Sequence, residues 1–176
     1  MLAAVLCVGC GYSNPYVTPP PGAAEESTGG MISIHLAMWE NNTNLFGYEA
    51  YINKALVHWL KKTKRFTLSP DSRNADYTLS GTIVSADFPG LSYGTFDRAI
   101  EVRAHIKFTY TLHDTKKDSV RLQRKRFSKR ESFMVGTNAT ETDNNKRQAQ
   151  HAIADDLAEE IYIQLTHSLL SSTQGS

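Results

Sequence analysis

Between Ile100 and His113 the chain alternates without a lapse. Ile100, Val102, Ala104, Ile106, Phe108, Tyr110 and Leu112 are apolar, while Glu101, Arg103, His105, Lys107, Thr109, Thr111 and His113 are polar. Only a β-strand has a side-chain period of two, so this stretch must present one dry row and one wet row. Strands buried on both faces of an α/β protein are apolar throughout. The alternation therefore points to an antiparallel sheet covered on one side only.

Other segments carry the same period more briefly. "MISIHLAMW" puts Ile32, Ile34, Leu36 and Met38 on one parity and predicts a half-buried strand from Met31. "RFTLS" from Arg65 predicts a short strand, and "DYTLSGTIVSADF" a longer one from about Asp76 with Tyr77, Leu79, Gly81 and Ile83 on one face. After the turn "HDTKKDS", Val120, Leu122, Phe127, Phe133 and Val135 predict a returning strand. Its apolar parity changes between Leu122 and Phe127, the mark of a bulge or a bend.

Two segments show helical spacing instead. Tyr48, Ile52, Ala55, Leu56, Trp59 and Leu60 make one apolar face, with Asn44 placed to cap the helix and Lys61, Lys62 and Lys64 favourable at its C-terminus. Ala149, Ala152, Ile153, Leu157, Ile161, Leu165 and Leu169 define a long final helix with Asp155, Asp156, Glu159 and Glu160 outside. Residues 89–95, "PGLSYGT", and 136–146, "GTNATETDNNK", read as loops. The order strand, helix, strands, helix predicts an α+β fold over residues 31–171: two helices packed on one face of a mainly antiparallel four- or five-stranded sheet. The last residues, 172–176, read as a disordered tail.

The N-terminal stretch has a different character. Met1 to Leu6 is apolar and short, and Val8-Gly9-Cys10 resembles the bacterial lipobox, with Cys7 where a Leu is usual; in a lipobox a small residue lets the signal peptidase cut before a cysteine that is then acylated. Residues 1–9 are expected to be a signal peptide, shortened at its start because no Lys or Arg precedes the apolar run, and a membrane-spanning helix would need about 20 apolar residues. Cys10 is the expected lipidation site. Residues 10–30, rich in Pro, Gly and small polar residues, are expected to be a flexible tether. With Cys7 removed and Cys10 acylated, no disulfide or cysteine metal site is expected. Gly11, where an Asp would favour retention in the inner membrane, points to the outer membrane.

Several of these pieces in this order resemble one family. "CGY" at Cys10 is followed by "ENNTNLFGYE", with Asn41-x-Thr43 and Gly47-x-Glu49 leading the first helix, then by "ADYTLSGTI", "AIEVRAHIKFTYTLHD" and "RQAQHAIADDLAEEI". Together they resemble the LptE family of lipopolysaccharide-assembly lipoproteins. The resemblance implies an outer-membrane lipoprotein on the periplasmic side. Such a protein plugs the LptD β-barrel and helps it assemble, and it binds lipopolysaccharide on its way to the cell surface. It implies no catalysis, cofactor or metal.

The residues add a candidate ligand site. "RLQRKRFSKR" places Arg121, Arg124, Lys125, Arg126, Lys129 and Arg130 within ten positions, and Arg103 and Lys107 stand on the wet row of the neighbouring strand. Arg grips phosphate through a planar fork and Lys supplies a point charge, so a phosphate-bearing polyanion such as lipopolysaccharide fits. A net charge of +1 over 176 residues gives no general attraction to nucleic acid, so none is expected as a partner. Leu91, Tyr93 and Phe96, together with residues 136–145, are candidates for contact with a barrel lumen, which is polar and needs adaptable surfaces. The six histidines have no metalloprotease spacing, and there is no phosphate-binding Gly loop or nucleophile elbow. The alternative reading is an outer-membrane lipoprotein that activates a peptidoglycan synthase or serves as another periplasmic binding module; the short tether argues against a distant partner.

Overall fold

The fold was obtained as a computed structural model and is described for residues 31–95 and 98–170. The expected signal, Cys10, the tether, Phe96 and the tail lie outside the described residues. Seven strands and two helices follow in the order β1 (Ile32–Leu36), β2 (Glu40–Asn41), α1 (Tyr48–Lys61), β3 (Phe66–Ser69), β4 (Tyr77–Asp87), β5 (Gly90–Tyr93), β6 (Ala99–Asp114), β7 (Ser119–Met134) and α2 (Ala139–Leu170).

The strands form one sheet in the order β3-β1-β4-β6-β7. β2 extends the lane of β1 along β4, and β5 extends the lane of β4 along β6. β4, β5 and β7 run antiparallel to β6, whereas β1 is parallel to both β3 and β4, and β2 is parallel to β4. The sheet is therefore mixed and seven-stranded rather than mainly antiparallel with four or five strands. The reason is the β1-α1-β3 crossover: a helix that carries the chain back across the sheet delivers the next strand parallel to the first.

Both helices cover one face. Ile34, Leu79, Ile83, Ala104, Ile106, Phe108, Tyr110 and Leu112 point from the sheet into a core that Tyr48, Ile52, Leu56 and Leu60 of α1 close from one side. Ile153, Leu157, Ile161 and Leu165 of α2 close it from the other. Each such aliphatic or aromatic side chain contributes about 1.5–3 kcal/mol by leaving water. The dry row of β6 is this core face, as its alternation requires.

Local departures have identifiable causes. Leu36 pairs with Leu79 and Glu40 with Thr82, so the β1–β2 lane carries one extra residue, and side chains change face across it. Met38 is thus 64% exposed, and Trp39 is buried in its place. Its ring lies over Gly81, where an added Cβ would come within 2.6 Å of it, and meets Phe108 edge-on at 6.2 Å.

Asn44 does not cap α1. The N-cap is Gly47, at φ 78, a left-handed conformation that glycine adopts without strain. Residues 90–93 of the expected loop form β5, since β6 runs past the end of β4 and offers its edge. Residues 139–146, expected as loop, are the first two turns of α2. Asn138 Oδ1 accepts from the Glu141 backbone N–H at 2.9 Å, and the Glu141 carboxylate accepts from the Thr137 backbone N–H at 2.7 Å, a displaced form of the capping box. Ala152 is exposed, and Gln150 and Ala154 are buried in the α2 seam instead.

Candidate functional site

The face of the sheet away from the helices is left bare. It is built from the wet row of β6 flanked by Thr78, Ser80, Thr82, Ser85 and Asp87 of β4 and by Gln123, Ser128, Arg130, Ser132 and Met134 of β7. Its centre is basic. His105 stands between Arg103 and Lys107 on its own strand, opposite Arg130 on one side and Asp87 on the other. Directly opposed side chains in such pairs lie about 5 Å apart, so one phosphate can touch several of them. Among the described residues Arg103, Lys107 and Arg130 make no ion pair, and His105 Nε2 has no hydrogen-bond partner within the protein. Burial, with help from the Arg130 and Lys107 charges, holds His105 below the ordinary histidine pKa and keeps it neutral near pH 7.

The other basic candidates are divided by the bulge that the parity change foretold. The register jumps between Tyr110↔Arg124 and Phe108↔Phe127, and Arg126 takes φ 65 there. Lys125 and Arg126 are exposed on this kink. Arg124, opposite Tyr110, and Lys129, opposite Ile106, both stand in the core row on either side of the bulge and turn to the α2 side.

Lys129 Nζ lies 2.8 Å from Asp156 and 2.9 Å from Glu160, with its side chain 15% exposed. Burial draws its pKa down, but the hydrogen bonds to those two carboxylates outweigh that and leave it raised. Arg121 donates to the Ser168 carbonyl near the C-terminus of α2 at 2.7 Å. Lys129 and Arg121 thus bind the helix to the sheet. The structure brings together Arg103, Lys107 and Arg130, places Lys125 and Arg126 beside them along the edge strand, and removes Arg121, Arg124 and Lys129 to the helix side. His105 completes the open patch, and its position in the wet row was the signal for it.

The candidate contact residues sit at the end of the sheet where β4 and β7 finish. Leu91 is 40% and Tyr93 60% exposed, with the Tyr93 ring folded over Gly90. Phe46, in the turn before α1, is 93% exposed. That turn is fixed by Asn41, whose amide donates to the Leu45 carbonyl at 2.8 Å and whose Oδ1 accepts from the Thr43 N–H and hydroxyl at 3.1 and 2.7 Å. Among the described residues no cluster of His, Cys, Asp and Glu is close enough to hold a metal, and no helix is long and apolar enough to cross a membrane.

The α+β fold, with both helices on one face of the sheet, is shared with several solved structures. A protein from Xanthomonas campestris superposes with a TM-score of 0.58 at 12% identity, covering 82% of this chain and 90% of that one. A minor lipoprotein from Acinetobacter baumannii gives 0.51 at 18%, covering 76% and 91%. An uncharacterized lipoprotein B from Nitrosomonas europaea gives 0.52 at 12%, covering 83% and 87%. At these identities the likeness is one of fold. No curated protein sequence matches the chain significantly. The sequence itself is more specific: residues 32–165 match the LptE family of lipopolysaccharide assembly, and the chain belongs to that family. It is a family of non-enzymatic lipoproteins of the bacterial envelope.

Proposed function

We propose that the protein is acylated at Cys10, stands on the periplasmic side of the outer membrane, and acts as plug and assembly partner of an LptD-like β-barrel. In this reading it binds lipopolysaccharide on the open sheet face and hands it on for insertion at the cell surface. Membership of the lipopolysaccharide-assembly family is the observation that carries the reading.

The chemistry of the open face supports it. Among the described residues Arg103, Lys107 and Arg130 make no ion pair, and they share the face with the hydroxyl groups of Thr78, Ser80, Thr82, Ser85, Ser128 and Ser132, a set suited to phosphates and sugars. Exposed ionic contacts contribute ~0.5–1 kcal/mol each, so three together account for about 2 kcal/mol, a roughly 30-fold change in affinity. Leu91, Tyr93 and Phe96, with Phe46, are the proposed contacts to the barrel wall. No step breaks or makes a covalent bond, and none needs a cofactor.

The test is purification of the full-length tagged protein from detergent-solubilised outer membranes of its host, with mass spectrometry of its companions and of its N-terminal peptide. A large β-barrel recovered in stoichiometric amount together with an acylated Cys10 is the expected result. Recovery of a peptidoglycan synthase instead would overturn it.

A further inference from the structure

The ends of the domain differ in charge. From Ala50 to Pro70 the sequence has no Asp or Glu, but it has Lys54, Lys61, Lys62, Lys64 and Arg65, all exposed, and His58. None of the five makes an ion pair among the described residues, and Lys62 Nζ rests 3.1 Å from the centre of the Trp59 ring.

The second helix ends beside the first. Tyr48 donates to the Gln150 carbonyl at 2.8 Å, Trp59 Nε1 to Asp155 at 2.9 Å, and the Trp59 and Tyr162 rings lie 5.9 Å apart, so the two helices run the same way. The carboxylates of α2 stop at Glu160, so its last turns add no negative side chain to this end. The acids of the nearby strand ends are engaged: Asp76 holds Lys116 at 2.6 Å, and Asp118 faces His113 at 3.4 Å.

The polypeptide enters the fold at this same place. Ile32, the first strand residue, donates its N–H to the Arg65 carbonyl at 2.9 Å, and Ile32 pairs with Phe66. A chain held to a bilayer through its N-terminal segment is therefore held by the end that carries this basic cluster. Twenty residues separate Cys10 from Met31. They can reach no more than about 70 Å, which keeps the cluster within easy approach of the surface.

We propose that Lys61, Lys62, Lys64 and Arg65 form a membrane-facing surface that docks on the anionic headgroups of a phospholipid bilayer. The cluster sits where α1 turns into β3, its cations are exposed and make no ion pair among the described residues, and the attraction of such a patch is electrostatic and screened by salt. The inference uses the proposed acylation only for proximity.

The test is therefore made without the lipid. The full-length chain carrying Cys10→Ala is sedimented with vesicles of phosphatidylglycerol and phosphatidylcholine, and with vesicles of phosphatidylcholine alone. The expected result is preferential binding to the anionic vesicles, weakened about tenfold on going from ~0.05 to ~0.5 M salt and weakened similarly by K61Q/K62Q/K64Q/R65Q. The control variant R98Q/K146Q/R147Q is expected to stay within about twofold of the parent, because its charges lie at the start of β6 and the start of α2, away from the end where α1 turns into β3. If the first variant melts lower than the parent, K64Q/R65Q in the exposed link replaces it, with a loss of about threefold expected. No preference for anionic vesicles, or equal losses in the cluster variant and the control variant, overturns the proposal. An unacylated Cys10 in the native protein alongside intact vesicle binding would sink the anchor and leave this surface standing.

Discussion

The Asn41 carboxamide donates to the Glu49 carboxylate at 2.7 Å, joining the end of β2 to the first turn of α1. These are the two short signatures that precede the first helix in the sequence, Asn-x-Thr and Gly-x-Glu, and the contact explains their spacing. Asn41 supplies the donors and Glu49 the acceptor, while Gly47 provides the left-handed corner between them. Asn41→Ala deletes both donors and the acceptor for Thr43. A loss of about 2 kcal/mol in chemical denaturation is expected, whereas Glu49→Gln, which keeps an acceptor oxygen, should cost less than half of that.

Lys129 and Arg130 are consecutive but serve opposite faces. Lys129→Ala leaves Asp156 and Glu160 without their cation and should lower stability by about 1–2 kcal/mol while leaving lipopolysaccharide affinity unchanged. Arg130→Gln should do the reverse, with affinity down roughly threefold and the melting temperature unmoved. Thermal melts run beside binding titrations on both variants decide it; a binding loss in Lys129→Ala without a stability loss would contradict the assignment.

This pair also marks how far the sequence could be read. The β6 alternation foretold both the dry core row and the bare face, and the parity change before Phe127 foretold the bulge at Arg126. Which basic residues share a face was hidden, because the bulge shifts the parity and the eight cationic positions cannot be sorted without the register. Strand direction was hidden for a similar reason: β1 alternates in the same way whether its neighbours run parallel or antiparallel, and only the crossover through α1 decides. The start of α2 left no apolar trace because residues 139–146 overhang the core and are mostly exposed. Only the Asn138 and Glu141 spacing marked it. The exchange of Met38 for Trp39 follows from one extra residue between β1 and β2, which no periodicity records.

Gly81 makes room for Trp39. A methyl group there would stand 2.6 Å from the indole, which is itself held against Phe108. Gly81→Ala should therefore destabilise the domain by about 1–3 kcal/mol through overpacking, although alanine suits an extended backbone better than glycine does. Gly81→Ala combined with Trp39→Phe should recover part of the loss, which equilibrium unfolding of the single and double variants measures. A stabilised single variant would show that the ring moves freely.

His105 gives the open face a dependence on pH. Burial first, then the Arg130 and Lys107 charges, lower its pKa from 6.5, so the folded protein binds this proton less readily than the unfolded chain. Its contribution to stability is therefore present above pH 6.5 and is lost as pH falls through the lower folded value. A phosphate seated among Arg103, Lys107 and Arg130 offsets their repulsion and raises the His105 pKa, so binding takes up a proton. Affinity for lipopolysaccharide should then gain on acidification below pH 6.5. The ligand phosphates lose charge over part of the same range, so the informative quantity is the difference between the parent and His105→Gln. The parent should gain roughly threefold over the variant between about pH 7.5 and 5.5, with equal affinities at the upper limit. Parallel curves for the two proteins would show that no ligand phosphate approaches His105 and that the bound polyanion lies elsewhere on the domain.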